Sequence, residues 1–143
     1  MQLARLLLFT ALCGAVEAAE FRSVQDNAAV LYDAPSALAT KRFIVGAGYP
    51  FEVLVKLDKW TKVRDDGGDI SWIEAKGLTQ KRMLVVTTVA AVRDRAAADA
   101  AVIFRADKGL LLELAEAPAN GWVRVRHRDG ESGYINVQQV WGL

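Results

Sequence analysis

From Phe51 to Asp58 the chain alternates, with Phe51, Val53, Val55 and Leu57 interleaved by Glu52, Leu54, Lys56 and Asp58. A period of two places successive side chains on opposite faces of a strand, so the first set is expected to face a core. The same period recurs where Val123 and Val125 alternate with Trp122, Arg124 and Arg126. If those valines point inward, Trp122 points outward; by the same alternation Thr61 and Val63 point in and Trp60 points out. Two turn signals close antiparallel pairs, Asp65-Asp-Gly-Gly-Asp69 and Arg128-Asp-Gly-Glu131. For Val125 and Ile135 to share the core face, the second loop must hold an odd number of residues. Three with Gly130 left-handed is the expected form, because a two-residue loop would pair Val125 with Tyr134. Helical spacing shows only weakly, from Asp94 to Ala101, and the equivalent stretch Asp33-Ala-Pro-Ser-Ala37 carries a proline suited to a turn. A loop is therefore expected at both places.

The N-terminus follows a different rule. Arg5 supplies one positive charge, and Leu6 to Val16 forms an apolar run broken only by Thr10, Cys13 and Gly14. A membrane-spanning helix needs about 20 such residues, and the run ends in Val16-Glu17-Ala18, with small or short residues at the two key positions of a signal-peptidase site. Residues 1–18 are expected to be a signal peptide cleaved after Ala18, with Ala19 the next choice. Leu12 is too bulky before Cys13 for a lipidation site. Export then places the protein in the periplasm or outside the cell, touching the membrane only during export, and leaves a mature chain with no cysteine.

The remainder reads as one unit written twice. Trp60 to Glu74 lies over Trp122 to Asn136 at an offset of 62, and Ala28-Ala-Val30 lies over Ala90-Ala-Val92 at the same offset. Leu78 falls on Val140, while Gly48 and Glu52 match Gly109 and Glu113 at 61, so one small insertion separates the halves. Two tandem domains are expected, at 19–80 and 81–143. Gln80-Lys81-Arg82 runs straight into Met83-Leu-Val-Val with no flexible linker, which predicts domains in contact at a fixed orientation.

Composition removes function classes rather than adding them. Lys and Arg total 18 against 17 Asp and Glu, a net charge of +1, too weak a field to hold nucleic acid. One Cys and one His cannot build a zinc cage, and loss of Cys13 with the signal peptide would leave no thiol to pair with His127 in a Cys-His dyad. His127 stands alone beside a charged hairpin tip, and with no Cys left and Ser23, Ser36, Ser71 and Ser132 the only serines of the mature chain a triad is not expected; His127 is expected to be solvated surface. Gly46-Ala-Gly48 leads into a strand rather than a helix and reads as a turn, not a phosphate loop. Asp65, Asp66 and Asp69 could attract calcium, but the twelve-residue ligand ladder is absent. No metal, no cofactor and no catalytic residue is expected. Lys76, Lys81 and Arg82 form a mild basic cluster at the join, either a solvated seam or a contact for anionic glycan or lipid.

The order of these features resembles a known family. A loop after Val30 or Val92, a Gly before an apolar strand, Gly121-Trp122-x-x-Val125, a charged hairpin, Tyr134-Ile135 and a final apolar residue are similar to the bacterial SH3-like domain, in two copies over nearly all of the mature chain. The resemblance implies an all-β protein of two tandem small SH3-like barrels, five strands each, acting as a non-catalytic binding or targeting module of the cell envelope. It also points to candidate site residues. In eukaryotic relatives of this fold a peptide groove is lined by a Tyr in an Ala-Leu-Tyr-Asp motif, a hairpin Trp and the Tyr of Gly-Tyr-Ile. Tyr32 in Val30-Leu-Tyr-Asp33, Trp60 and Trp72 look like these in the first unit, with Tyr32 on the loop. Trp122 and Tyr134 match in the second, where Asp94 stands at the place of Tyr32. Asn136 and Gln139 fall where Pro and Tyr are expected, a departure from polyproline binding. These aromatics either contact a cell-wall peptide or glycan, meet an envelope protein, or seal the barrel rims.

Overall fold

The computed structural model describes residues 17–25 and 27–143. The expected signal peptide lies outside the described residues apart from Glu17 and Ala18, and among those described no helix is long and apolar enough to cross a membrane.

The chain is all-β, with three-residue 3-10 turns at Ala75–Gly77 and Val137–Gln139 the only helical elements described. The first unit comprises β1 (Glu20–Val24), β2 (Ala29–Tyr32), β3 (Lys41–Val45), β4 (Pro50–Lys56), β5 (Trp60–Arg64), β6 (Ile70–Glu74) and β7 (Leu78–Thr79). The second repeats it as β8 (Met83–Val86), β9 (Ala90–Arg93), β10 (Val102–Ala106), β11 (Leu111–Leu114), β12 (Trp122–Arg126), β13 (Ser132–Asn136) and β14 (Val140–Trp141). Each unit is one antiparallel seven-stranded sheet, ordered β3-β2-β6-β5-β4-β1-β7 and β10-β9-β13-β12-β11-β8-β14. The five-stranded closed barrel implied by the resemblance is thus corrected in two respects. The edge strands do not pair with one another, so neither sheet closes, and β1 with the two-residue β7 extends the ladder beyond β4.

Each sheet nevertheless curls round its own core. Val24, Leu31, Phe51, Val63 and Ile73 come from five different strands of the first sheet and form one buried cluster, which a flat sheet would leave in a row. The second core gathers Leu84, Val92, Leu112, Val123, Val125 and Ile135, all fully buried. Thr61, Val63, Val123 and Val125 point inward as the alternation required. The alternation in β4 fails past its middle. Phe51 is 1% exposed, but Val55 is 42% exposed, as is Leu57, just past the strand, at 47%. A register slip between Val53, opposite Val63, and Val55, opposite Lys62, inserts Leu54 as an extra residue, and one extra residue exchanges the faces of all that follow.

Both hairpins use the three-residue loop. His127 N donates to Glu131 O at 2.7 Å and Gly130, at φ 98°, donates to His127 O at 2.9 Å. In the first unit Asp65 N donates to Asp69 O at 3.0 Å and Gly68, at φ 90°, donates to Asp65 O at 3.1 Å. Positive φ at the last loop position is what glycine supplies without strain. The loops 33–40 and 94–101 also match bond for bond, Asp33 N to Thr40 O and Asp94 N to Ala101 O, and neither is helical.

The units touch. The Phe21 and Trp141 rings meet edge to face at 5.1 Å, the Arg82 guanidinium lies 5.4 Å over the Phe21 ring, and its Nη2 donates to Gly142 O at 2.7 Å. Ser23, buried, donates its hydroxyl to Lys81 O at 2.7 Å.

Candidate functional site

Three strands bring the first unit's aromatics together. Tyr32, the last residue of β2, stands directly opposite Trp72 of β6, and Lys62 of β5 stands opposite Trp72 on the other side. Trp60 pairs with Glu74, which makes Trp60 and Trp72 diagonal neighbours on one face. The Tyr32 and Trp60 rings meet edge to face at 5.2 Å, and Lys62 Nζ lies 5.8 Å from the Trp72 ring centre. Tyr32 is not on a loop as expected but in the strand, and it is only 7% exposed. Trp60 and Trp72 are half-buried. The patch is therefore a packed aromatic corner, with Tyr32 as its support and the indoles as its accessible part. Beside it lies a groove of about 200 Å³ between β2 and the first 3-10 turn, lined by Val30, Tyr32, Ile73, Glu74, Lys76 and Gly77. Glu74 and Lys76, both in its lining, form an ion pair at 3.0 Å.

The second unit repeats the placement with different residues. Trp122 pairs with Asn136, and Arg124 with Tyr134, so Trp122 and Tyr134 are diagonal neighbours, both half-buried. Tyr134 stands opposite Arg93, as Trp72 stands opposite Tyr32. Arg93, not Asp94, therefore occupies the place of Tyr32, and the offset in this strand is 61 rather than 62. The loop before β9 is one residue shorter than the loop before β2: Val24 and Val86 make matching bonds, yet the next strands begin at Ala29 and Ala90. Sequence matching missed this because the identities Ala28-Ala-Val30 and Ala90-Ala-Val92 favour 62, whereas the strands align Ala29-Val-Leu31 with Ala90-Ala-Val92 at 61. The strands can cross closely here because β13 carries Gly133. A Cβ on Gly133 would stand 2.5 Å from Arg93 O, inside the closest contact real side chains make. The resulting groove, again about 200 Å³, is lined by Ala91, Arg93, Ala98, Trp122, Asn136 and Gln139. Arg93 Nη1 donates to Ala100 O at 2.8 Å. Asn136 Oδ1 accepts the Gln138 N–H at 2.9 Å, capping the second 3-10 turn.

Other candidates resolve into structure. Asp65 Oδ1 accepts the N–H groups of Gly67 and Asp69 at 2.9 and 2.8 Å, which closes the first hairpin, and Asp66 bonds the Tyr49 hydroxyl. Burial first, then that bond, pushes the Tyr49 phenol well above its ordinary value. Among the described residues no group of three or more His, Cys, Asp or Glu side chains is placed to hold a metal ion. His127 is not solvated surface: its side chain is 21% exposed and its ring lies 5.8 Å from that of Phe104. The basic cluster at the join is dispersed, with Lys76 paired to Glu74, Lys81 to Glu113 at 3.4 Å, and Arg82 against Phe21.

A family of small all-β modules is thus defined by two sheets with repeated hairpins and grooves. The chain belongs to the bacterial SH3 domain family, whose model matches it twice, over residues 25–79 and 86–142. No curated protein sequence matches it. Among solved structures it is similar to NlpC2 from Trichomonas vaginalis, at 16% identity and TM-score 0.41 over 87% of this chain and 48% of that one. It is also similar to NlpC1 from the same organism, at 15% identity and TM-score 0.41 over 88% and 46%. An NlpC/P60 family protein from Bacillus cereus ATCC 10987 matches at 15% identity and TM-score 0.37, over 84% and 55%. The chain spans about half the length of each of these proteins.

Proposed function

We propose that this chain is a non-catalytic binding module of the bacterial cell envelope that holds peptidoglycan, as peptide or glycan strand, against the indoles of Trp60, Trp72 and Trp122, with Tyr32 and Tyr134 beside them. The observation that carries this reading is the aromatic corner on the outer face of each sheet, set beside a groove at the same place in both units. Family membership supports it, and so does the repetition, since two weak sites on one chain multiply their affinities when both engage. The reading includes domains at 19–80 and 81–143 and export to the periplasm or beyond. Intact-mass measurement of the protein recovered from an envelope fraction is expected to show loss of the first 18 or so residues; a full-length cytoplasmic species would overturn export.

Retention on purified peptidoglycan tests the site. Trp122→Ala and Trp60→Ala are expected to keep the fold and weaken retention by about 2 kcal/mol or more, as truncation of a buried aromatic anchor does. Melting of either variant instead would make that indole a core plug. A second reading, a subunit that binds an envelope protein, is favoured by the edge strand β3, where Phe43 and Ile44 are 50% and 76% exposed beside unpaired backbone groups. Saturation of Trp fluorescence by a co-purifying protein, and not by wall fragments, would select it.

A further inference from the structure

The two grooves occupy equivalent places and differ in charge. Tyr32 of the first is Arg93 in the second, and Glu74, opposite Trp60, is Asn136, opposite Trp122. A neutral phenol becomes a guanidinium and a carboxylate becomes an amide; Lys76, which pairs with Glu74 in the first groove, has the neutral Gln138 at its place, so the first groove is balanced in charge and the second carries the unpaired cation Arg93. Arg93 is half-buried and held by its bond to Ala100 O at 2.8 Å, which fixes the guanidinium while leaving its charge and its other N–H groups available. Among the described residues no carboxylate stands within 4.0 Å of it; the adjacent Asp94 lies 3.8 Å from Arg95 Nε instead. Asn136 uses Oδ1 to cap the 3-10 turn, so its remaining polar atom is a donor, and Gln139 lines the same groove. A carboxylate entering the first groove would meet Glu74, already 3.0 Å from Lys76 Nζ.

We propose that the second groove, and not the first, binds the carboxylate of an anionic ligand, with Arg93 donating charge-assisted hydrogen bonds and Trp122 covering the adjoining apolar part. A fixed guanidinium fork is the side chain best matched to a carboxylate. This rests on the envelope-binding reading and adds which groove takes the charge and through which atoms. The carboxylate has two sources in a wall polymer: the C-terminus of a short peptide, or the acid of an acidic amino sugar.

The test is an NMR titration of the full mature chain, following the Arg93 Nε–H and Trp122 indole N–H signals. The probes are N-acetyl-Lys-Ala-Ala as free acid and as C-terminal amide, and N-acetylmuramic acid against N-acetylglucosamine. At least one acid is expected to bind about tenfold or more tightly than its uncharged counterpart and to move both signals; which acid does so identifies the source. Asn136→Asp keeps the turn cap and adds a carboxylate to the groove, so it is expected to abolish the preference with an unchanged melting temperature. Arg93→Lys should retain part of it and Arg93→Gln none. Equal binding of acid and neutral probes, or a preference that survives Asn136→Asp, would overturn the charge assignment. Retention on peptidoglycan is measured beside this. Retention without acid preference sinks the charge assignment and leaves envelope binding standing; acid preference without retention does the reverse.

Discussion

Val125 and Arg126 are neighbours in sequence and opposites in environment, the first 0% exposed in the second core and the second on the outer face. Val125→Asp would bury a charge among Val123, Ile135 and Leu112 with no partner, and is expected to unfold the second unit, a loss of several kcal/mol; Arg126→Ala should cost no more than about 0.5 kcal/mol. Chemical denaturation of the two variants checks this, and equal effects would mean that the faces are assigned wrongly. The inward and outward sides of Trp60 and Trp122 were legible for the same reason, because buried residues at Thr61, Val63, Val123 and Val125 leave the indoles one side to take. Their half-burial was not legible. For Trp60 it comes from another strand, through the Tyr32 ring, and which residue occupies that place in each unit turns on a loop shorter by one residue. Periodicity within a strand carries no information about such a shift between strands.

β5 and β12, five residues each with inward Thr61, Val63, Val123 and Val125 between outward residues, were readable, whereas the two-residue ladders β7 and β14 were too short to show any period. The slip at Leu54 was hidden for the converse reason: apolar residues continue on both sides of it, so alternation in the sequence persists while the faces exchange. The hairpins were the best specified elements, since the core faces fixed the parity of the loop and Gly130 fixed its form. Asp129 strengthens the second one. Its Oδ1 accepts the Glu131 N–H at 2.9 Å, and this bond first, then the His127 side chain, holds its carboxyl below the ordinary value of 3.8. Because the folded value is depressed, the charged carboxylate stabilises the hairpin at every pH above the unfolded value. That contribution is lost as pH falls through the lower folded value. Asp129→Asn is therefore expected to be less stable than the parent at neutral pH and equal to it at the acid end. Carboxyl titration by NMR with parallel melting curves checks both points; a midpoint at or above 3.8, or a stability difference that persists in acid, would remove the claim.

The two sheets meet through a small set of groups from the ends of the chain's repeats: Phe21 of β1, Arg82 just before β8, and Trp141 and Gly142 at and after β14. A Cβ on Gly142, at φ 115°, would stand 2.8 Å from Met83 O and 3.4 Å from the Pro50 side chain, so the C-terminal segment passes closely between units. Arg82 is held there at a cost, since burial first and then the nearby Arg22 lower its pKa below the ordinary guanidinium value. The Phe21 and Gly142 contacts offset that cost by giving the cation a ring face and a carbonyl. A seam of this kind couples the units, and coupling matters for a binding module with two grooves, because the second binding event gains from the first only if the spacing between sites matches the ligand. Trp141→Ala removes one ring of the edge-to-face pair and exposes Phe21 and Arg82. It should leave each core intact, because Trp141 belongs to neither buried cluster. The parent is expected to unfold in one thermal transition and to tumble as one body by NMR relaxation, and the variant to show two transitions and two tumbling times. On this account the variant keeps its affinity for a short soluble wall fragment and loses retention on intact peptidoglycan, where both grooves must engage together. Two transitions in the parent, or equal retention of parent and variant, would mean that the units act independently and that the seam has no part in binding.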